Sequence, residues 1–145
     1  MDFDFSQTYL YKMHRLTNSL DAVFDMYLRR YAGISLSQFT LLLSVQQHQK
    51  ATQRVVANFL GISPGAVSRQ VEIASAQGWI TTTTDVTDRR KQYLQLTALG
   101  KSIIDIGISQ LETHVFSIFS NDNQQTNLMN HIVQLQQNID NLERP

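Results

Sequence analysis

The amino-acid sequence predicts a mainly α fold carrying one small β-hairpin, and three observations lead there. Apolar residues at both ends of the chain recur at alternating steps of four and three, the period of one helix face. Two short capped segments between Thr52 and Ile80 are joined across Gly61 to Ser63 alone. After them comes a β-branched run, Thr81 to Thr84, and then an alternating stretch, Lys91 to Leu96, which together have the pattern of a hairpin.

The first helix is long. Tyr9, Met13, Leu16, Leu20, Val23 and Tyr27 form its main stripe, Phe24, Leu28 and Tyr31 widen it, and Gly33 ends it. Ser35-Leu36-Ser37-Gln38 reads as a capping box, with Ile34 and Phe39 placed as the hydrophobic staple around it. The second helix starts there, with Phe39, Leu42, Leu43 and Val45 as core, and the polar run Gln46 to Lys50 is expected to be a loop.

Thr52 is a good N-cap for a third helix that runs to Leu60, after which Gly61 reverses the chain. Ser63 caps the fourth. Pro64 follows at its first helical position, where a missing N–H costs nothing. Ala57, Gly61 and Val67 stand where a helix-turn-helix needs a small residue at the helix crossing, a residue tolerant of positive φ, and an apolar anchor.

Gly78 breaks the fourth helix, and Trp79-Ile80 begins the first strand. In the second strand Leu94 and Leu96 share one face, Tyr93 and Gln95 the other, which leaves Asp85 to Arg90 as the hairpin tip. Thr97 caps the next helix, with Ile104, Ile108, Leu111, Val115 and Ile118 as its stripe. Asp122 or a neighbour caps the last, along Leu128, Ile132, Leu135, Ile139 and Leu142. The terminal helices carry more apolar stripe than one small core consumes, so residues 1–33 and 102–145 are expected to pair two copies into a homodimer around a lobe of residues 35–100.

A chain of 145 residues with 42% hydrophobic content is long enough for one domain. No stretch approaches a membrane span and the N-terminus lacks the pattern of a signal peptide, so a cytoplasmic location is expected. There is no cysteine, which excludes disulfides and thiolate metal sites. His14, His48, His114 and His131 have no partner at ligand spacing, so neither metal nor cofactor is implied. Net charge is zero, yet it is unevenly spread. His48 to Lys101 holds seven basic residues against three acidic, and the segment after Lys101 holds one against five. A basic middle with an acidic far side suits a DNA-binding surface.

GISPGAVSRQVEIASAQGWI, followed by DVTDRR at 85–90 and LQLTALG at 94–100, resembles the MarR family of winged helix-turn-helix regulators. That resemblance implies a winged helix-turn-helix homodimer that binds a pseudo-palindromic duplex operator, acts as a ligand-responsive repressor, and is no enzyme. A G-x-S-x-G match around Ser63 is not a nucleophile elbow, because Pro64 has no N–H to give an oxyanion.

The candidate DNA-binding residues follow from these motifs. Ser63, Pro64, Gly65, Ala66 and Ser68 are short side chains that let the fourth helix approach the major groove, and Arg69 is its long cation, suited to a guanine edge or a phosphate. Gln70 is of a type that reads adenine. At the tip, Asp88 is expected to brace one arginine while Arg89 or Arg90 enters the minor groove, as the resemblance implies. Thr52, Arg54 and Lys91 complete the set. Gln70 and Ala74 stand where the family pattern more often has leucine, Ile73 where it more often has a cation. Fewer cations mean fewer phosphate contacts and a shallower salt dependence. The competing function is a protein-interaction module that keeps the fold without specific DNA contacts. Tyr11, His14 and Arg15, on one face of the first helix, are the candidates for a small aromatic or anionic effector, a class of ligand that the resemblance implies.

Overall fold

The structure is a computed structural model that describes residues 4–114 and 121–142. A 3-10 turn, Phe5–Gln7, leads into α1 (Tyr9–Ala32), α2 (Leu36–Gln47), α3 (Gln53–Leu60) and α4 (Pro64–Ala76). Strands β1 (Ile80–Thr84) and β2 (Gln92–Leu96) come next, then α5 (Ala98–His114) and α6 (Asp122–Leu142).

The ends of these elements are set locally. Thr8 Oγ1 accepts from Tyr11 N at 3.2 Å and caps α1, while Gly33 closes that helix at φ 67°. Ser35 and Gln38 make both arms of the capping box, and the staple residues Ile34 and Phe39 are buried in one core. Asp25, on α1, accepts from Leu36 N at 2.8 Å and so ties α1 to the first turn of α2. The Arg29 guanidinium beside it, with the Leu36 amide, holds its carboxyl below the usual range.

Apolar on nearly every side, α2 is the centre of the packing and touches α1, α3, α4, α5 and β2. Leu41 and Leu42 are fully buried with Phe39 and Val45, and Leu43 is half-buried against them. Leu41 is core in addition to the residues expected, because neighbours on both flanks cover most of α2. The helix also continues through Gln46 and Gln47, so the loop is shorter than the polar run suggested. Each fully buried Leu, Ile or Val contributes about 1.5–3 kcal/mol.

The hairpin is antiparallel, with Ile80 opposite Leu96 and Thr84 opposite Gln92. Two hydrogen bonds fix its base to the helices: Leu94 N donates to Ala51 O at 2.7 Å, and Thr97 N to Trp79 O at 3.0 Å. Thr97 Oγ1 donates to Gly78 O at 2.7 Å and accepts from Gly100 N at 3.0 Å, capping α5 as expected. Gly100 lies so close to the Trp79 carbonyl that a Cβ there would collide with backbone. Gly107 meets the buried Phe39 ring and Leu28 in the same way.

The stripes at the chain ends are largely open. In α1 only Leu28 is buried, while Tyr9, Met13 and Leu16 are exposed. Every residue of α6 is exposed, including Leu128, Ile132, Leu135, Ile139 and Leu142. Asn121, next to Asp122, provides the α6 cap by accepting from Gln124 N at 2.8 Å. In α5, Ile104 is fully buried and Leu111 half-buried, whereas Ile108 is exposed; Val115 and Ile118 lie outside the described residues. Among the described residues no helix is long and apolar enough to cross a membrane.

Candidate nucleic-acid interface

The two short helices form the expected motif. Thr52 Oγ1 accepts from Val55 N at 3.2 Å, Gly61 adopts φ 65°, and Ser63 Oγ accepts from Ala66 N at 3.2 Å. Ala57 is buried at the crossing, and Val67 anchors α4 in the core. The buried residues Val67, Val71 and Ala74 fix the rotation of α4 about its axis. Its outward side is then Ser63, Pro64, Gly65, Ala66, Arg69, Glu72 and Ile73, all exposed.

Two candidates sit differently from the rest. Ser68 is on the flank, half-buried. Gln70 is half-buried with its side-chain oxygen enclosed and without a hydrogen-bond partner among the described residues. Residue type suggested an adenine reader, but position 70 follows the inward side of α4, so the amide oxygen points into the protein. An enclosed, unpaired amide oxygen costs roughly 1–3 kcal/mol. Outward-facing Glu72 and Ile73 leave Arg69 as the sole cation on α4.

Thr52, Arg54, Arg90 and Lys91 come together. With Gln53, Gln92 and Tyr93 they line one open cleft, about 570 Å³, between the start of α3 and the base of the hairpin. Three cations and the free amides of the first turn of α3 make it attractive to a phosphate. Gln53, Gln92 and Tyr93 carry no charge, and no sequence motif marks their place here.

At the tip, Asp88 braces as expected. Its Oδ1 accepts from Arg90 N at 3.1 Å and faces Arg90 Nε at 3.5 Å; Lys91 Nζ is 4.0 Å from its other oxygen. Arg90 is nonetheless 93% exposed, held at its base with its outer nitrogens in solvent. Arg89 is exposed and makes no salt bridge among the described residues.

The strongest set of contacts belongs to Asp85, which sequence reasoning had left out of the site. Its Oδ1 accepts from Thr87 Oγ1 at 2.6 Å, Thr87 N at 2.7 Å and Asp88 N at 3.0 Å, and its Oδ2 from Tyr93 OH at 2.9 Å. These donors, the Thr87 hydroxyl foremost, hold the carboxyl far below the usual carboxylate range. The same bond to Asp85 pushes the Tyr93 hydroxyl up. The spacing Asp85-Val86-Thr87 is an Asx-turn signal that would have found it.

The effector candidates separate. Tyr11 packs edge-on against Phe5, with ring centroids 5.6 Å apart, and with Lys12 and Arg15 lines a shallow groove bounded by residues 6–19. His14 does not line that groove; a ring nitrogen lies 3.1 Å from Asn18 Nδ2. No residue of the lobe of the same chain lines it. Among the described residues no three His, Asp or Glu side chains converge as metal ligands.

Residues 32–91 match the model of the MarR family. No curated protein matches the chain. Many solved structures do. A MarR/EmrR family transcriptional regulator from Acinetobacter sp. ADP1 is similar over 96% of this chain and 99% of its own, with a TM-score of 0.83 at 15% identity. BpsR of Bordetella bronchiseptica, solved to explain regulation of its DNA binding by 6-hydroxynicotinic acid, is similar over 94% and 98%, with a TM-score of 0.81 at 18% identity. A mutant MarR from E. coli complexed with operator DNA is similar over 92% and 99%, with a TM-score of 0.74 at 18% identity.

Proposed function

Since residues 32–91 of this chain match the model of the MarR family, we propose that the protein is a sequence-specific, ligand-responsive regulator that binds duplex DNA as a homodimer and represses transcription in the cytoplasm. One observation carries the reading. A single lobe combines an outward α4 surface of short side chains and Arg69 with a wing whose Arg90 is oriented by Asp88. The first suits a major groove, the second the adjacent minor groove or its phosphates. Residues 35–100 are the DNA-binding lobe in this reading.

The homodimer rests on the open stripes of residues 1–33 and 102–145. Leu128, Ile132, Leu135 and Ile139 are each 40–51% exposed in the single chain, on one side of α6. A second copy related by a two-fold axis covers such a stripe with its own. Two lobes then present two α4 helices to successive major grooves, and the operator is pseudo-palindromic.

Ligand response is supported by the relative whose DNA binding is regulated by 6-hydroxynicotinic acid. In this chain Tyr11 and Arg15, with neighbouring Lys12, offer a ring and two cations to an aromatic carboxylate. A ligand releases DNA only through differential affinity for the two dimer geometries.

The test is a gel shift with the duplex upstream of the protein's own gene, against an unrelated duplex of equal length. Selective retardation is expected, and lost when Arg69 is replaced by Ala. Equal affinity for both duplexes, or none, overturns the reading in favour of a protein-interaction module.

A further inference from the structure

The wing tip contains a relay of hydrogen bonds that ends on the DNA-facing arginine. Asp85 follows the last residue of β1 and stands diagonally across from Tyr93 of β2, since Thr83 is the residue opposite Tyr93. Diagonal neighbours share a face of the sheet and lie within reach of a tyrosine ring. Tyr93 OH donates to Asp85 Oδ2 at 2.9 Å, so the paired, rigid strand holds the carboxylate from one side. The other oxygen, Oδ1, gathers Thr87 N, Thr87 Oγ1 and Asp88 N. Asp88, its backbone so fixed, turns its own Oδ1 to Arg90 N and Nε. The tip is closed by Asp85 N to Lys91 O and Lys91 N to Asp88 O, both at 2.9 Å.

We propose that Tyr93 and Asp85 are positioning residues for DNA binding: they hold the backbone of Asp88 in place, Asp88 thereby aims Arg90, and operator affinity depends on them through Arg90. This rests on the DNA-binding reading above and adds to it residues that act through another side chain. The physical ground is entropy. A tip with no buried side chain to pack must otherwise be ordered when DNA arrives, and each residue fixed at that moment subtracts from the affinity. A charged acceptor with four donors does the ordering beforehand. Its counterpart at the hairpin base is Leu94, which is buried and so needs no such device.

A double-mutant cycle tests this, with a duplex selected by the parent protein from a random pool. Tyr93→Phe keeps the ring and removes only the hydroxyl. It is expected to weaken binding by about two- to tenfold, the range of one lost hydrogen bond. In the Arg90→Ala background the same change is expected to have no effect. Amide exchange of Thr87 and Asp88, measured without DNA, is expected to quicken in Tyr93→Phe while exchange in α2 stays unchanged. Equal losses in both backgrounds overturn the proposal, because Tyr93 then acts on DNA directly or on the whole fold. Unchanged binding in Tyr93→Phe overturns it as well. If Asp85→Ala fails to fold, the Tyr93→Phe arm decides alone. A parent that selects no duplex overturns the DNA-binding reading and this proposal together; a parent that binds, with additive variants, overturns the proposal alone.

Discussion

Replacing Arg90 by Ala removes one unit of positive charge from the wing, and so does replacing Arg89. By Coulomb's law alone the two variants are equal. The structure separates them: Arg90 is held at its backbone N and at Nε by Asp88, and Arg89 has no salt bridge among the described residues. A free arginine carries about 2 kcal/mol of rotamer entropy that binding must remove, and a tethered one has given up part of it already. In the proposed complex Arg90 is therefore expected to be the wing's principal phosphate or minor-groove contact. Each phosphate contact contributes about −0.9 to the slope of log K against log salt, and the proposed dimer presents two wings, so Arg90→Ala is expected to reduce the slope by about 1.8. Between about 50 and 200 mM salt, the ratio of parent to variant affinity then shrinks roughly twelvefold; one wing per complex gives about 3.5-fold. Fluorescence anisotropy with a labelled operator duplex across a salt series measures both. Asp88→Ala belongs in the same series. It makes the tip more positive and yet is expected to bind more weakly, since Arg90 loses its tether. Equal slopes for the two arginine variants, or tighter binding by Asp88→Ala, refute the reasoning.

Four further outcomes are expected. Arg69→Ala, at the sole cation on α4, lowers operator affinity by about 1–3 kcal/mol if the contact is bidentate to a base, measured by anisotropy with the fold checked by circular dichroism. Gly107→Ala drives a Cβ into the Phe39 ring and to 3.0 Å from Leu28 Cδ2; overpacking costs about 1–3 kcal/mol, more than the gain of about 1 kcal/mol in helix propensity at its upper end, so the urea midpoint falls. Asp25 has a carboxyl held below its ordinary 3.8 by Arg29 and Leu36 N. Its stabilising effect is therefore present above that value and lost as pH falls through the lowered one, and Asp25→Asn flattens the decline of melting temperature between about pH 5 and pH 2. Removing residues 122–145 is expected to leave an aggregating or unfolded product, by light scattering and circular dichroism, whereas a soluble, folded monomer refutes the proposed dimer.

What the sequence revealed was whatever is decided within four residues. Ser35 with Gln38, Thr52, Ser63 with Pro64, and Thr97 each cap a helix through a bond to an amide three positions on, and each was legible because the partner is fixed by the helix itself. The tip motif Asp88-Arg89-Arg90 was legible for the same reason. The Asp85–Tyr93 bond was not, because it depends on hairpin register, and one residue more or less in the turn would send the two side chains to opposite faces. The burial of Leu41 and the inward turn of Gln70 were not legible for a related cause. Which side of a helix is inside depends on how many neighbours surround it, and α2 has five while the flank of α4 is half-covered. Tyr11 and Arg15 line one groove and His14 does not, because a shared face along α1 says nothing of what lies opposite it.

Thr97 and Gly100 give α5 a mechanical role. The hydroxyl of Thr97 binds the carbonyl of Gly78, its N–H binds that of Trp79, and the missing Cβ of Gly100 lets the helix rest against that same peptide. These contacts couple the start of α5 to the base of the hairpin. The 17 residues of α5 make an arm of about 25 Å at 1.5 Å per residue. A tilt of about 5° about its far end swings the hairpin base by about 2 Å, as simple trigonometry on that length requires. That displacement is comparable to a hydrogen-bond length, and the bond from Leu94 N to Ala51 O and the close seat of Gly107 on Phe39 are the contacts that resist it.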